Sequence, residues 1–312
     1  MDVTIVICTR DHASLLATTL GCVAELHVPD GISWELLVVD NGSQDATSEV
    51  LDRHARHLPL RVVREPRAGL AVARNTAVAN AQGDYLIWTD DDTVIDPEWL
   101  AAYTESFRRH PTAAVFGGTI LPRFDGTTPR WMSDNLAVLS GSLAYRDFGE
   151  KEQMLCLADG VIPYGPNFAI RRTEQCRFPF DPRLGKAPGQ RRVCEETAMI
   201  AALLRSGATG WWVPRAKVWH RIPQQAQSLR YVLEYHMAIG EGREVENGVP
   251  DARRLFGAPR WLWRRAMTRC LSYCLHRLTS PTPVWLRHYT DFAVECGALR
   301  YWRAQSKTAM RI

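Results

Sequence analysis

Three carboxylates stand side by side at Asp90, Asp91 and Asp92, directly after the apolar run 85–89. In an extended backbone residues two apart share a face, so Asp90 and Asp92 can converge on one ligand while Asp91 points away. Adjacent carboxylates repel, and a hard divalent cation, Mn²⁺ or Mg²⁺, itself bound to phosphate oxygens, relieves that repulsion. The competing reading is a solvated turn into the helix near Pro97, with Asp92 or Asp96 as its cap. Two further polar groups follow apolar runs: Thr9-Arg10-Asp11 after 3–8, and Asp40-Asn41 after 35–39. Ligands of an open parallel sheet bind beyond the carboxyl ends of its strands, so all three positions are candidates. Glu195 and Glu196 open a helical stretch, where the positive end of the dipole favours the ionised form that a general base needs at neutral pH.

Such positions need a frame that presents strand ends on one edge. The first part of the chain alternates short β-branched runs with helical patterns, the signature of βαβ units and a largely parallel sheet. Strands are expected at 3–8, 35–39, 61–63 and 85–89, with helices at 14–25, 44–57 and 70–81 between them. Beyond Pro122, Pro and Gly residues break the chain into short elements and long loops of the kind that carry function. A helix is expected at 195–205, strands at 210–213 and 217–220, and helices past Pro223. No internal repeat or low-complexity tract is present.

A 312-residue chain with 46% hydrophobic and 23% charged residues has the make-up of an ordinary globular protein able to bury a sizeable core. The chain enters Val3-Thr4-Ile5-Val6-Ile7 without a basic n-region or cleavage site, so no signal peptide is expected. No apolar stretch is long enough to span a bilayer. Eight cysteines are scattered without a paired zinc spacing, which points to a reducing cytosol.

The net charge of +4 hides an asymmetry: residues 253–312 carry 12 basic and 2 acidic residues, net +10, leaving −6 for residues 1–252. The tail is therefore expected to meet an anionic surface while the body carries the acidic chemistry. Within the tail Leu262, Trp263, Ala266, Met267, Cys270, Leu271, Cys274 and Leu278 recur at helical spacing, with Arg265, Arg269 and His276 on the other face. Two readings stay open, a basic amphipathic helix on an anionic membrane and a helix packed on the catalytic domain.

Val6-Ile7-Cys8-Thr9-Arg10, Leu37 through Ser43, Ala73-Arg74-Asn75 and Gly83-Asp84-Tyr85 leading to Asp90-Asp91-Asp92 together resemble the GT-A-fold glycosyltransferases of family 2. Gly165-Pro166-Asn167 through Arg172, then Glu195-Glu196, then Val218-Trp219-His220 follow in that family's order, so the resemblance covers residues 1 to 222. It implies that Thr9 and Asp40 hold the nucleotide base, that Asp90 reaches the ribose or a metal-bound water, and that Asp92 binds the cation. It makes His220 the third protein contact to the metal or diphosphate. Arg74 is placed to brace Asp40 or Asp90 or to reach the diphosphate, a surface ion pair being the alternative. Arg10, Asn41 and Asp91 join the substrate-binding set. Asn167 is expected to hydrogen-bond a sugar hydroxyl, or else to sit in a tight Gly-Pro turn entering a strand. Trp131, with Met132, is expected as an apolar platform for the acceptor or as a loop anchor.

The expected fold is α/β, GT-A-like, with a mostly parallel central sheet, helices on both faces and a C-terminal helical appendage. Residues 1–225 form the catalytic domain (1–92 for the nucleotide, 93–225 for the acceptor), and 226–312 the basic appendage. The expected chemistry is inverting transfer from a nucleoside-diphosphate sugar, with UDP as the base, to a saccharide or lipid-linked acceptor in surface-polysaccharide or glycolipid assembly. It would take place in the cytoplasm, peripherally on the inner face of the membrane, with no nucleic-acid partner. Helical spacing sets Glu196 in line with Met199, Ile200 and Leu203, and Glu195 with Ala198, Met199 and Ala202. Glu196 is therefore taken as the base, a role in mere helix capping being the alternative for both. A nucleotidyltransferase would need a Gly-rich loop after the first strand, and residues 9–14 contain no glycine. A non-catalytic binding protein on the same fold is the other rival.

Overall fold

The structure, a computed structural model, describes residues 2–248 and 252–309, so Met1 and the end of the expected appendage, 310–312, lie outside the described residues. The chain divides into two compact units. The first runs through Arg123 and takes in Ala144–Pro188 and Glu195–Arg221; the second comprises Phe124–Leu143, Gly189–Cys194 and the chain from Ile222 onward.

The first unit is built on a nine-stranded sheet. In chain order its elements begin β1 (Val3–Thr9), α1 (Ala13–Ala24), β2 (Trp34–Asp40), α2 (Thr47–His54), β3 (Leu60–Arg64), α3 (Leu70–Asn80) and β4 (Tyr85–Asp90). They continue with β5 (Thr93–Ile95), α4 (Trp99–Arg109), β6 (Val115–Phe124), β7 (Gln153–Met154) and β8 (Phe168–Arg171). The helix Glu195–Arg205 and the long strand Gly210–Ile222 complete the unit. The order β3-β2-β1-β4 is parallel throughout, as the alternating pattern predicts, and pairing turns antiparallel where β4 meets β8.

Alternate strand residues feed two cores. Ile5, Ile7, Leu36 and Val38 pack with Leu16 and Leu20 of α1 and Trp99 and Tyr103 of α4. Val6, Leu37 and Val39 pack on the opposite face with Ala71, Ala73 and Ala77 of α3 and Met199, Ile200 and Leu203. A sheet covered on both faces explains why its strands read as continuous apolar runs rather than alternating ones.

The second half departs from the expected elements. Residues 210–222 form one strand, not two broken at Pro214. Pro214 falls between a segment paired with β7 and one paired with β5, so its missing N–H interrupts neither. Asn167 is also not where a sugar contact needs it. It is fully buried, its Oδ1 accepting from Trp99 Nε1 and Tyr103 Oη and its Nδ2 donating to the carbonyls of Thr119 and Ala216. All four positions of the amide are filled, so Asn167 ties α4, β6 and the long strand together.

The second unit is helical: Leu229–Asn247, Arg260–Thr279 and Thr282–Ala309. The first and third cross closely, because a Cβ on Gly240 would lie 2.0 Å from the Val294 carbonyl oxygen and one on Gly297 1.9 Å from that of Met237. Glu295 is buried between Arg243 and Arg265, and Glu244 accepts from Trp302 Nε1. Of the tail residues read as one apolar stripe, Leu262 and Ala266 are buried against Ala298, Leu299 and Trp302, while Met267, Leu271 and Leu278 are exposed. Arg265 and Arg269, read as lying on the face opposite that stripe, pair with Glu295 and Asp291. The apolar residues span too wide an arc for one neighbouring helix to cover.

Replacing Asn167 with Ala leaves two buried donors and two buried carbonyls without partners, and should lower unfolding free energy by about 3 kcal/mol or more. Denaturant unfolding of Asn167→Ala measures this. A fully stable variant impaired only in acceptor binding would return Asn167 to the substrate set.

Candidate active site

Strand register assembles the site. Thr9 lies opposite Asp40 across β1 and β2, and Cys8 opposite Asp90 across β1 and β4, so the loops after three parallel strands emerge together. A cavity of about 320 Å³ opens there, lined by Thr9, Arg10, His12, Asn41, the three aspartates, Lys186 and His220. That volume is in the range of small-ligand pockets.

Asp90, Asp92 and His220 converge, with one ligand atom from each within 4.8 Å of the others. His220 arrives by strand pairing: it lies opposite Thr93, with Trp219 opposite Val94 and Val218 opposite Ile95. The Arg221 N–H donates to the Asp92 carbonyl, which closes the turn onto that strand. Asp92 Oδ1 and His220 Nδ1 are buried without hydrogen-bond partners, and His220 Nε2 stands 3.6 Å from Asp92 Oδ1. Burial raises the Asp92 carboxyl above the usual carboxylate range; His220 opposes the shift, and Asp90 and Asp91 add to it. Two carboxylates and an imidazole, including an unpartnered carboxylate oxygen, fit a Mn²⁺ or Mg²⁺ ion.

Asp91 turns away from that group, as alternation predicts. Its carboxylate accepts from Thr9 Oγ1 at 2.6 Å and from His12 Nδ1 at 3.1 Å. The hydrogen bond to Asp91 raises the pKa of His12, against the effect of burial. His12 and Lys186 were not among the residues singled out from sequence. His12 follows the Thr9-Arg10-Asp11 group directly, whereas nothing in the sequence marks Lys186, which arrives on the short strand Lys186–Ala187.

Arg74 is buried behind the strand ends. Its Nη1 lies 3.1 Å from Glu195 Oε1 and 3.7 Å from Glu196 Oε2, and its Nη2 3.4 Å from Asp90 Oδ1. The rings of Phe168 and Phe180 lie 6.0 and 5.5 Å from the guanidinium. Of the roles open to Arg74, the structure therefore gives it the bracing of Asp90, and neither Asp40 nor a surface pair. Burial and the repulsion of Glu196 push Glu195 up from the carboxylate range, opposed by Arg74. Glu196 accepts from the Gly165 N–H at 3.2 Å. A Cβ on Gly165 would lie 3.0 Å from Arg74 Nη2 and 3.4 Å from Glu196 Oε1, a tight fit beside both side chains.

Several expectations change. Glu195, not Glu196, heads the buried side of its helix: its side chain is 4% exposed, against 15% for Glu196. The reason is electrostatic, since a buried guanidinium requires a buried counter-charge. Asn41 lines the cavity, but its amide is committed to the backbone, donating to the Glu65 and Arg67 carbonyls and accepting from the Gly69 N–H, so it shapes the wall. Asp40 is buried and accepts from the Ser43 N–H, outside the cavity lining. Arg10 lines the cavity. Trp131 belongs to the second unit, on the short helix Arg130–Ser133.

Residues 4–176 match the family described as Glycosyl transferase family 2. This chain belongs to glycosyl transferase family 2. As a member of that family it is a glycosyltransferase. Among its relatives, the succinoglycan biosynthesis protein ExoM of Rhizobium meliloti is 25% identical over 245 residues, 77% of this chain and 74% of that protein. The glucosyl-dolichyl phosphate glucuronosyltransferase of Haloferax volcanii is 25% identical over 177 residues, and the match spans about half of each chain (55% and 53%). The fold is similar to that of the mannosyltransferase PcManGT from Pyrobaculum calidifontis in complex with GDP-Man and Mn²⁺ (TM-score 0.62, 18% identity, 95% of this chain and 86% of that one). It is similar also to S. aureus TarS 1–349 in complex with UDP-GlcNAc (TM-score 0.56, 15% identity, 97% and 92%). The family 2 chain thus has the GT-A fold.

Asp92→Asn should weaken Mn²⁺ binding, read by calorimetry, at least about tenfold. The metal-free Tm should hold or rise, because one of three mutually repelling carboxylates is neutralised. Unchanged Mn²⁺ affinity would remove Asp92 from the metal set.

Proposed function

We propose that this glycosyltransferase moves a sugar, with inversion, from a nucleoside-diphosphate donor to an acceptor hydroxyl, with Glu196 as general base and Asp90, Asp92 and His220 as the metal set. The observation that carries the reading is the single guanidinium of Arg74, which contacts Asp90 through one terminal nitrogen and Glu195 and Glu196 through the other. One rigid cation thereby sets the distance between the donor end of the site and the base.

A divalent ion, when bound, would supply the positive charge that a departing nucleoside diphosphate needs. The rest is the work of the chain's own residues. Glu196 takes the proton of the acceptor hydroxyl as its oxygen bonds to the anomeric carbon. The bond from that carbon to the phosphate oxygen breaks on the opposite face, and the diphosphate leaves with the electron pair. Glu195 does not suit the base role, because it is buried and already serves as counter-ion to Arg74. Glu196 keeps a partly open side chain, oriented by the Gly165 N–H. Lys186 and Arg10, both on the cavity wall, offer charge to the diphosphate.

UDP is the first donor base to test, since one structural neighbour is described with UDP-GlcNAc; GDP-Man, held by another, is the comparison. The acceptor is a saccharide or lipid-linked saccharide of the kind used in surface-polysaccharide assembly, the setting named for the Rhizobium relative. We place the reaction on the cytoplasmic side, at an anionic membrane surface met through the basic C-terminal region.

Glu196→Gln should lose at least about a hundredfold in turnover with donor affinity nearly unchanged, the signature of a lost general base. Glu195→Gln should instead lower the Tm, because Arg74 loses its closest counter-ion. Transfer kinetics and thermal unfolding of both variants decide the matter. A fully active Glu196→Gln would show that the base is wrongly assigned.

A further inference from the structure

We propose that the outward face of the helix Arg260–Thr279, continued by Phe256 on the preceding hairpin, docks onto an anionic lipid bilayer. The inference deepens the membrane-side reading above by naming the surface, and it rests on that reading only for its purpose. Among the described residues ten large hydrophobic side chains are exposed, and eight of them fall between Leu255 and Val284. Met267, Leu271, Leu275 and Leu278 are 61–87% exposed. Their spacing of four, four and three residues puts them on one arc of the helix, about 17 Å long at 1.5 Å per residue. The opposite arc is occupied, with Leu262 and Ala266 packed against Ala298, Leu299 and Trp302. The helix therefore has its fold contacts on one side and a second apolar face that those contacts do not use.

The hairpin adds an independent observation. Arg254 pairs with Pro259 and Leu255 with Ala258, so Phe256 and Gly257 form a two-residue turn. Both have positive φ, 48° and 85°. That geometry favours Asn-Gly and disfavours a residue as bulky as Phe. Phe256 is nevertheless 76% exposed, its ring standing nearly perpendicular to that of Trp263 at 6.1 Å between centroids. A strained and exposed aromatic does little for the fold. Trp263 stands one turn before Met267, so the ring of Phe256 extends the apolar stripe.

Charge identifies the occupant. The helix carries Arg260, Arg264, Arg265, Arg269 and Arg277 and no carboxylate. The two acids of residues 253–312, Asp291 and Glu295, are already engaged by Arg269 and by Arg243 and Arg265. Arg260 and Arg264 meet no carboxylate among the described residues, and Arg277 lies over the ring of Trp285, 4.4 Å from its centroid. A second copy would bring like charge against like, whereas an anionic bilayer accepts both the apolar arc and its arginines. No described helix is long and apolar enough to cross a membrane, so the contact is one that lies in the interface.

The test is cosedimentation of the full chain with vesicles of phosphatidylcholine alone or mixed with phosphatidylglycerol, at low and high salt. Wild type should pellet with the anionic vesicles and release with salt. Leu271→Gln/Leu275→Gln should reduce the affinity at least about tenfold. Phe256→Asn should weaken binding while raising the Tm, since Asn suits the turn. Light scattering on the same samples reads self-association, and donor hydrolysis reads the active site. Absence of pelleting with anionic vesicles at low salt, or equal pelleting by the double variant, overturns the proposal. So does a wild-type dimer that the double variant dissociates without any vesicle binding. A wild type that hydrolyses donor but never docks refutes only this inference; a wild type that docks but hydrolyses no donor would instead count against the donor reading.

Discussion

The site depends on one buried cation. Arg74 is removed from water among Glu195, Asp90 and Glu196, so a single positive charge answers three negative ones within 3.7 Å. Glu195 is the closest partner and the most buried, and their pairing makes burial of the guanidinium tolerable. The charge left over falls on Asp90 and Glu196, and Asp91 and Asp92 add to it. Asp91 is satisfied by Thr9 and His12, but Asp92 keeps an oxygen without a hydrogen-bond partner. An unpartnered carboxylate oxygen beside Asp90 and His220 is a place that a divalent cation can fill, even with Arg10 and Lys186 on the same wall.

Geometry then divides the carboxylates by task. Asp91 is taken up by Thr9 and His12 on the cavity wall, which leaves Asp90 and Asp92 to converge with His220. Antiparallel pairing of β5 with the 210–222 strand carries the imidazole to them. The Gly165 turn performs the matching service for Glu196, its N–H donating to the carboxylate at 3.2 Å. Each polar group thus reaches the site from a regular element whose position is set by apolar packing on the two faces of the sheet.

What the sequence made legible follows from the range of the interactions involved. The β1–β4 half declares itself by local period, and its strands and helices lie within a few residues of expectation. The carboxylate triplet was legible because residue type and a strand end point to it, whereas His220 was legible only through the family resemblance, since a lone histidine beside Trp219 carries no signal of its own. The two asparagines were not, since Asn41 and Asn167 look like ligand contacts until their amides are seen to be filled by groups distant in the chain. The helical stripe behind Glu195 and Glu196 was equally ambiguous, because Met199 lies in line with both. What buries Glu195 is Arg74, on another helix. Lys186 carried no local signal at all.

The family match ends at residue 176, yet the site does not. Glu195, Glu196 and His220 all lie beyond it, so their membership in the site rests on physical links. One link is the backbone ladder that sets His220 opposite Thr93, next to the aspartate turn. The other is the Arg74 guanidinium, which reaches from α3 inside the matched region to both glutamates outside it. Neither link depends on the identity of the sugar or of the acceptor. Asp90 and the two glutamates are therefore held at a fixed separation by the fold itself, through one guanidinium and one strand ladder.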